Sequence, residues 1–442
     1  MNNKAKLVAE KLLKGQLYNK AVLPKHYGVA LRQNIKHHWP AKGLKVIGVT
    51  GTNGKTSTCF MIHRMLVEAG YNAGLMSTVA FGVGDNVEPQ IHHMTSQPID
   101  LLLSRIEKMK KQGMDILVLE VTSHALAQYR VMGVPIDIAV ITNLTHEHLD
   151  YHGSFAAYRS AKLKLFKMAA HTKNGRQLGV INADDPSAAV FADAVPNVLA
   201  YSLNETSDQA VAWPKDLKLT PKGSRYQTEI KGWRLDITCN LPGSFNVANS
   251  LAAACVGIAL GLSPEQVVKG IKSLESVEGR MTRVDEGQVF DVIVDFAHTP
   301  DSFEKLFNDL RPVVKGKMIS LFGSAGRRDV SKRAIQGKIA GASSDIVIVT
   351  EEDDRDVDGN QIINQIAAGA EESGKTRDKD LFLILDRTKA IEFALKQAKP
   401  GDTVLLLGKG HEKTIERATG EHPWDEIALT KKLLKKLGAS RR

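Results

Sequence analysis

Short apolar segments alternate with longer amphipathic segments over most of this chain. Four apolar, β-branched runs predict buried strands, at residues 45–50, 116–121, 137–142 and 178–182. Apolar residues with helical spacing predict helices between them, at residues 57–69, 99–112, 123–131 and 154–170. Strands that alternate with helices indicate an α/β fold on a parallel sheet, with ligands at the carboxyl ends of the strands.

The pattern changes after residue 182 and then returns. Residues 210–240 alternate as hairpins do, and an Ala-rich stretch at 246–274 predicts two helices. Residues 277–288 are typical of a linker. A second α/β series follows, with strands predicted near 290–297, 317–323, 346–350, 381–385 and 403–407. Before the first strand, we expect a short helix at 4–14 and then an irregular segment.

These patterns predict three parts: a short basic segment at 1–43, a central domain at 44–278 and a C-terminal α/β domain at 279–442. The length of 442 residues suits such a division, and 43% hydrophobic with 24% charged residues is typical of a globular protein. No apolar run reaches the ~20 residues of a membrane span, and we expect no export signal. Three scattered cysteines indicate a reducing cytoplasm and argue against structural zinc.

The net charge of +10 is concentrated at the two ends of the chain. Residues 1–45 hold ten Lys or Arg and one Glu, and the last twelve residues hold six Lys or Arg and no acid. The rest of the chain is mildly acidic, so no general nucleic-acid surface is expected. Two interpretations stay open: basic helices in solvent, or weak attraction to an anionic membrane surface or a nucleotide-linked substrate.

The strand at 45–50 leads into a Gly-rich segment, Gly51-Thr52-Asn53-Gly54-Lys55-Thr56-Ser57. A strand, a tight loop and a helix N-terminus give converging N–H groups and a positive dipole end, which suit phosphate. Lys55 can reach the outer phosphates and Thr56 can bind Mg²⁺. The alternative, an ordinary strand–helix turn, seldom carries Gly-Lys-Thr-Ser. The segment therefore predicts an ATP or GTP site.

Polar residues follow two neighbouring strands. Glu120 ends the strand at 116–121, where a Mg²⁺ ligand is expected beside the phosphate loop. Several ionisable residues between 146 and 152 follow the strand at 137–142. A single histidine is more often packed or exposed than a ligand, but this grouping favours a site. The neighbouring carboxylates favour Mg²⁺ over zinc.

The ordered motifs resemble those of the Mur ligases and their folylpolyglutamate synthetase relatives, and the resemblance covers nearly the whole chain from residue 44. The forms Asp-Tyr-His-Gly, Ala-His-Thr-Pro-Asp and Gly-Lys-Gly-His-Glu are most similar to the MurE branch. The matching segments are 51–56, 120–126, 142–153, 158–162, 182–185, 241–249, 279–281, 294–301 and 408–412.

The resemblance implies an amide ligase of peptidoglycan biosynthesis that adds the third amino acid to UDP-N-acetylmuramoyl-L-alanyl-D-glutamate. ATP would phosphorylate the terminal carboxylate, and the incoming amine would attack the acyl phosphate. The implied catalytic residues are Lys55, Glu120, His148 and Lys162. The implied ATP contacts are Gly51, Thr52, Asn53, Gly54, Lys55, Thr56, Ser57, Asn143, Asn246, Arg280 and Asp295. The implied Mg²⁺ ligands are Thr56, Glu120, His148 and a carbamylated Lys162.

The resemblance also implies two substrate sites. Muropeptide contacts are expected at Thr95, Ser96, Thr122, Ser123 and Arg130. Amino-acid contacts are expected at Arg328, Asp353, Arg355, Gly408 and Glu412. Asp353-Asp354 stand where enzymes that use meso-diaminopimelate carry Asn-Pro, and the following Arg is kept. A pocket with both charges favours diaminopimelate over lysine.

Further expectations complete this interpretation. The resemblance implies a shortened N-terminal UDP-binding region, so either mainly electrostatic contacts hold UDP or the carrier differs. We expect a monomer in the cytoplasm whose partners are a UDP-muramoyl dipeptide and a free amino acid. A sister ligase, such as a folylpolyglutamate or poly-amino-acid synthetase, is the alternative function.

Overall fold

The computed structural model describes residues 16–90, 95–145, 147–205, 210–220 and 222–440. The helix predicted at 4–14 lies outside these residues. The chain forms two compact units. The first contains the described residues up to Leu219 together with Gly223–Asn240 and Ser244–Glu275, and the second contains Ser276–Arg442 with two short earlier pieces. The described N-terminal residues belong to the first unit.

The first unit is built on an eight-stranded sheet. Its helices are α1 (Gln16–Lys36), α2 (Lys55–Glu68), α3 (Ile99–Lys111), α4 (Ser123–Ala127), α5 (Leu149–His152), α6 (Phe155–His171), α7 (Ala188–Ala192), α8 (Ser244–Leu260) and α9 (Pro264–Ser273). Its strands are β1 (Lys45–Thr50), β2 (Ala73–Met76), β3 (Ala80–Val83), β4 (Asn86–Pro89), β5 (Ile116–Glu120), β6 (Ile138–Ile141), β7 (Leu178–Asn182) and β8 (Asn197–Tyr201), followed by β9 (Lys215–Thr220), β10 (Gly223–Ile230) and β11 (Trp233–Cys239) in a separate three-stranded sheet.

The large sheet has the order β4-β3-β2-β5-β1-β6-β7-β8. The strands from β2 to β8 in this order pair in parallel, which confirms the predicted parallel sheet. Strands β3 and β4 add an antiparallel edge that was not predicted. Strand β4 is exposed throughout and therefore has no apolar run, whereas β3 is a mostly buried strand of four residues. Strands β1 and β5 are buried almost entirely, as expected where helices cover both faces of a sheet.

The prediction of an irregular segment before β1 is wrong, because helix α1 occupies most of that segment. This helix contains Pro24, which lacks an N–H donor, and its sequence shows little apolar periodicity. Packing fixes it instead. Ala30 lies in a small apolar cluster with Ile99 and Leu103 of α3, and the buried Asn34 side chain donates to the Met132 carbonyl at 3.0 Å.

The second unit is also an α/β unit. Its helices are α10 (Pro300–Leu310), α11 (Ser331–Ser343), α12 (Gly359–Glu372), α13 (Arg387–Gln397) and α14 (Glu426–Ser440). Its strands are β12 (Thr282–Arg283), β13 (Asp291–Asp295), β14 (Met318–Phe322), β15 (Ile346–Val349), β16 (Leu381–Leu383), β17 (Thr403–Leu407), β18 (Thr414–Arg417) and β19 (Gly420–Pro423).

Its six-stranded sheet has the order β12-β13-β17-β14-β15-β16, and a separate hairpin pairs β18 with β19. The five strands predicted in this part of the chain match β13 to β17, and they pair in parallel. Strand β12 lies inside the predicted linker and pairs antiparallel with β13. Across the described residues of both units, no helix is long and apolar enough to cross a membrane.

Candidate active site

The phosphate loop connects β1 to α2, and two glycines give it its shape. Gly51 and Gly54 have φ of 150° and 84°, where side chains are disfavoured. A Cβ atom on Gly51 would lie 1.9 Å from Thr142 Oγ1, and one on Gly54 would lie 2.4 Å from Asn249 Oδ1. Both glycines are therefore required by conformation and by space.

Asn143, which follows β6, holds the loop by hydrogen bonds, and Asn249 of α8 lies close to the loop at Gly54. The Asn143 side chain accepts from Asn53 N at 2.9 Å and donates to Asn53 O at 3.1 Å. Asn249 donates to Asn246 Oδ1 at 3.0 Å, so the predicted adenine residue Asn246 lies one side chain away from Gly54. These contacts give the loop a fixed backbone, which is what a phosphate cradle requires.

Helix α2 begins at Lys55 and carries the predicted phosphate and Mg²⁺ residues in its first turn. Lys55 Nζ folds back on the loop and donates to Thr52 O at 2.7 Å and Gly51 O at 3.1 Å. Thr56 and Ser57 are buried. Thr56 Oγ1 lies 3.1–3.2 Å from both carboxylate oxygens of Glu120, which is 1% exposed.

Thr78, which no sequence motif singles out, also contacts Glu120. Its N and Oγ1 donate to the two Glu120 carboxylate oxygens at 2.9 and 2.8 Å. Glu120 is thus held by two threonines at the end of β5. Oxygen donors of this kind fit Mg²⁺, because hard cations prefer carboxylate and hydroxyl ligands.

Lys162 of α6 is 2% exposed and reaches the same loop. Its Nζ donates to Gly51 O at 2.6 Å, so it shares that carbonyl with Lys55. Burial, with Lys55 nearby, holds the pKa of Lys162 well below its usual range. The ring of Tyr158 lies 4.8 Å from Nζ, and its hydroxyl lies 3.0 Å from Thr52 Oγ1. Burial therefore favours the neutral form of the Lys162 amine.

Aromatic side chains surround the predicted ligand His148, which precedes α5. Its ring centroid lies 4.7 Å from that of His124, and His148 Nε2 lies 3.7 Å from Glu147 Oε2. His152 Nε2 lies 3.0 Å from the Ser123 hydroxyl. The residues after β5 and β6 therefore lie close together, as expected because both strands pair in parallel with β1 and end at the same edge of the sheet.

The predicted muropeptide residues form a connected group at the end of β5. Thr122 N donates to Ser96 Oγ at 3.0 Å, and Arg130 Nη1 donates to Ser96 O at 2.9 Å. Gln128, which was not among the predicted site residues, accepts from Arg130 Nε at 2.9 Å and donates to the Tyr151 hydroxyl at 3.0 Å. Burial lowers the pKa of Arg130. Thr95 is half-buried beside Ser96.

In the second unit, three charged side chains form a compact group after β15 and β17. Lys409 is fully buried, and its Nζ lies 2.8 Å from Asp353 Oδ1 and 2.5 Å from Glu412 Oε2. Burial acts to lower the pKa of Lys409, but the two carboxylates hold it above its usual value. Burial raises the pKa of Glu412. Two carboxylates facing one ammonium leave this group one negative charge in excess.

Arg355 and Arg328 differ in their surroundings. Arg355 Nε lies 2.7 Å from Glu416 Oε2, and Nη1 donates to Gly326 O at 2.5 Å. Arg328 is exposed and makes no hydrogen bond or ion pair with the described residues. Gly408 has a φ of 101°, and a Cβ there would lie 2.8 Å from Glu352 Oε2. The structure thus brings Asp353 and Glu412 together and leaves Arg328 apart from them.

Arg280 and Asp295 lie together elsewhere in the second unit. The Arg280 guanidinium lies 4.6 Å from the centroid of the Phe296 ring, and Asp295 accepts from Met281 N and Ala297 N at 2.7 Å each. Burial raises the pKa of Asp295, with Arg280 opposing it. Asp295 is thus already engaged by two backbone donors.

A fixed phosphate loop, a threonine–carboxylate pair and a buried lysine on one edge of a parallel sheet define the first unit as a nucleotide-binding unit of the P-loop type. Models of known protein families match most of the chain. Residues 49–257 match the Mur ligase middle domain, and residues 279–410 match the glutamate ligase domain of Mur ligases.

The chain belongs to the Mur ligase family, whose members are ATP-dependent acid–amino acid ligases. It is 41% identical to a UDP-N-acetylmuramyl-tripeptide synthetase of Roseiflexus sp. (strain RS-1), over 90% of this chain and 80% of the relative. A solved UDP-N-acetylmuramoyl-L-alanyl-D-glutamate–2,6-diaminopimelate ligase is 31% identical, with a TM-score of 0.62 over 90% of this chain and 80% of that one. The folylpolyglutamate synthase of Mycobacterium tuberculosis shares the fold, with a TM-score of 0.69, 15% identity and coverage of 95% and 98%.

Proposed function

We propose that this chain is the ATP-dependent ligase that adds the third amino acid to UDP-N-acetylmuramoyl-L-alanyl-D-glutamate, with meso-diaminopimelate favoured over L-lysine. The observation that carries the proposal is the meeting of the phosphate loop, the Thr56–Glu120 pair and the Ser96–Thr122–Arg130 group along the ends of β1 and β5. The relatives described above carry the corresponding names.

The proposed reaction passes the γ-phosphoryl group of ATP to the glutamate side-chain carboxylate, and the incoming amine then displaces phosphate from the acyl phosphate. Phosphoryl transfer needs mainly positioning and charge neutralisation. The loop N–H groups would hold the phosphates, and Lys55 would leave the carbonyls of Gly51 and Thr52 for the outer phosphate oxygens. In its bound position Lys55 would offset the charge that develops during transfer.

Mg²⁺ would be held by Thr56 and Glu120, with His148 and Lys162 assigned to a second ion. When bound, the metal neutralises phosphate charge and orients the phosphoryl group. Thr78 keeps the Glu120 carboxylate in place by two hydrogen bonds. It also satisfies carboxylate lone pairs that would otherwise be buried without a partner.

Carbamylation of Lys162 is part of the proposal. The neutral amine attacks CO₂, a C–N bond forms, and a proton leaves to give an anionic carbamate. Burial and the nearby Lys55 lower the pKa of Lys162, which supplies the neutral amine. The buried carbamate would offer an oxygen ligand in place of a cation beside the loop.

The remaining predicted residues are assigned to the muropeptide and to the nucleotide. We assign muropeptide binding to Thr95, Ser96, Thr122, Ser123 and Arg130, with Gln128 fixing the orientation of Arg130. Adenine, phosphate and ribose contacts are assigned to Asn246, Arg280 and Asp295.

We assign amino-acid binding to Arg328, Asp353, Arg355, Gly408 and Glu412. The negative excess at Asp353, Lys409 and Glu412 suits an ammonium group, and Arg355 suits a carboxylate once it exchanges Glu416 for the substrate. Diaminopimelate carries both groups on its distal end. That supports it over lysine, which carries only the ammonium.

We also propose that the enzyme acts in the cytoplasm as a monomer, with a central domain at 44–278 and a C-terminal amino-acid domain at 279–442. The six basic and no acidic residues between 16 and 45 support a further weak attraction to an anionic membrane surface.

An assay of amine-dependent phosphate release tests the function. Purified enzyme with ATP, Mg²⁺ and the UDP-muramoyl dipeptide should release phosphate only when an amino acid is added, with diaminopimelate best among diaminopimelate, lysine, ornithine and glutamate. Lys55→Met, which removes the phosphate-binding cation, is the inactive control. Turnover that needs a folyl acceptor instead, or ATP hydrolysis independent of amine and acceptor, would refute the proposal.

A further inference from the structure

Glu416 of β18 occupies the arginine that the proposed function assigns to the carboxylate of the amino acid. Its Oε2 atom lies 2.7 Å from Arg355 Nε, and the Glu416 side chain is 43% exposed, whereas that of Arg355 is 19% exposed. Arg355 Nη1 donates to Gly326 O, and Nη2 has no hydrogen-bond partner among the described residues. The guanidinium thus already holds a carboxylate of the chain itself, and that carboxylate is the more exposed partner.

The backbone of Glu416 is held independently of its side chain. Arg355 N donates to Glu416 O at 3.0 Å, and Glu416 N donates to Asp353 Oδ1 at 2.9 Å. Strand β18 also pairs with β19, and the neighbouring Ile415 side chain is fully buried. The Glu416 carboxylate can therefore rotate away from Arg355 while the contacts that place the strand are kept.

The acidic group of the second unit lies directly beside this ion pair. Asp353 Oδ1 accepts from Glu416 N and also from Lys409 Nζ, which lies at 2.8 Å. Lys409 Nζ in turn contacts Glu412. A side chain that ends in an ammonium alone can bind to these acids and leave Arg355 paired. A side chain that also ends in a carboxylate must take the place of Glu416 to reach the guanidinium.

We propose that Glu416 sets the selectivity of the amino-acid site, as an internal carboxylate that competes with the substrate for Arg355. This inference rests on the proposed function, which assigns Arg355 to the distal carboxylate of diaminopimelate. A ligand whose site is open for only a fraction of the time binds more weakly by that fraction. Glu416 therefore weakens the binding of diaminopimelate but not that of lysine. In the empty site, it offsets the charge of a largely buried guanidinium.

The test measures the KM for diaminopimelate and the KM for lysine, at saturating ATP and acceptor, in wild type and two variants. Glu416→Gln removes the charge and keeps the shape, and Glu416→Ala removes the side chain beyond Cβ. In both variants, the KM for diaminopimelate should fall about 3- to 10-fold, as expected when a partly exposed ion pair no longer has to open. The KM for lysine should stay within about twofold, and kcat should not change for either amino acid.

Glu421→Gln is the matched control, because Glu421 is an exposed acid that lies opposite Glu416 in the β18–β19 hairpin. It should leave both KM values unchanged, and a similar fall there would overturn the inference, since the effect would then be one of net charge.

Three results with the Glu416 variants would also overturn the inference. An equal change of both KM values would mean that Arg355 binds the α-carboxylate that both amino acids share, or that Glu416 only holds the hairpin. A KM for diaminopimelate that does not fall would exclude competition. Failure of both variants to fold would make the side chain a structural one. Failure of the proposed function is distinguishable, since wild type would then release no amine-dependent phosphate with the UDP-muramoyl dipeptide.

Discussion

Arg387 connects four parts of the second unit, and its replacement should cost much of that unit's stability. The side chain is fully buried, and so is its ion-pair partner Glu426, with Nη2–Oε1 at 2.5 Å and Nε–Oε2 at 2.8 Å. Nη1 donates to Glu351 O at 3.1 Å and Nη2 donates to Leu407 O at 2.8 Å. The guanidinium thus joins α13 and α14 to the segment that follows β15 and to the last residue of β17.

Arg387→Met leaves the Glu426 carboxylate buried without its partner, which costs about 3–5 kcal/mol. Two buried carbonyls also lose donors, at about 1–3 kcal/mol each, although such losses overlap. We expect a fall of about 5 kcal/mol in the free energy of unfolding of this unit. Arg387→Met with Glu426→Leu should recover about 3 kcal/mol, because apolar replacement of both partners removes the orphaned charge. The lost donors to Glu351 and Leu407 account for the remainder.

Trp424 provides the assay, since its indole Nε1 donates to Glu426 Oε2 at 2.9 Å. It is the last of four tryptophans, and replacing Trp39, Trp213 and Trp233 with phenylalanine leaves a reporter in the second unit alone. Urea unfolding followed by its fluorescence gives the free energy for each variant. A loss below about 1 kcal/mol in Arg387→Met, or a double variant no more stable than the single one, would refute this reasoning.

Two further predictions concern groups with shifted pKa values. Lys162→Ala should lower turnover by more than about 100-fold. Loss of a residue that only supports a metal ligand lowers activity by about 10- to 100-fold, and loss of a ligand itself should cost more. A short carboxylate added to the assay should partly restore turnover. ¹³C-bicarbonate should give a carbamate NMR signal in wild type only, and an active Lys162→Ala or an absent signal would remove the carbamate from the mechanism. Burial, with Glu351 nearby, raises the pKa of Asp354 from 3.8 to about 6. Between these two pKa values the folded state keeps a proton that the unfolded state loses. The free energy of unfolding should therefore fall as the pH rises from about 4 to about 6. Asp354→Asn should lessen that fall in urea unfolding at pH 4 and 7, and an unchanged fall would assign it to other groups.

The sheets and the strand-end residues can be predicted from sequence because two local signals coincide there. An apolar run marks each central strand, and a polar residue that follows it must lie at the carboxyl edge of a parallel sheet. Glu120 ends β5 and accepts from Thr56 in the first turn of α2, and Asn143 follows β6 and accepts from Asn53 of the phosphate loop. The position of each residue at a strand end is therefore enough to place it beside the phosphate loop.

Residues that act by tertiary contact give no such signal. Helix α1 forms although it contains Pro24, because packing against α3 outweighs a weak local pattern. Gln128 and Thr78 resemble ordinary polar residues in sequence and acquire their roles from Arg130 and Glu120. A partner that is distant in sequence defines each of these positions, so a single sequence cannot reveal it.

The two units hold their site cations in opposite ways. In the first unit, two cations of the candidate site donate to neutral carbonyl oxygens rather than to carboxylates: Lys55 donates to Gly51 O and Thr52 O, and Arg130 donates to Ser96 O. Little of their charge is offset, so each can meet an anionic group without first giving up an ion pair. That arrangement suits a nucleotide and an acidic acceptor.

In the second unit, carboxylates hold the four cations that lie around the ends of β15 and β17, and acids outnumber cations in this group. The pairs are Lys409 with Asp353 and Glu412, Arg355 with Glu416, Arg417 with Glu351, and Arg387 with Glu426. Glu352 is buried beside Gly408 and adds a further acid. An ammonium group entering here would balance charge, whereas a phosphate would be repelled. The charge around each of these two groups thus matches one of the two reactants that an amide ligase must join, an activated acid and an amine.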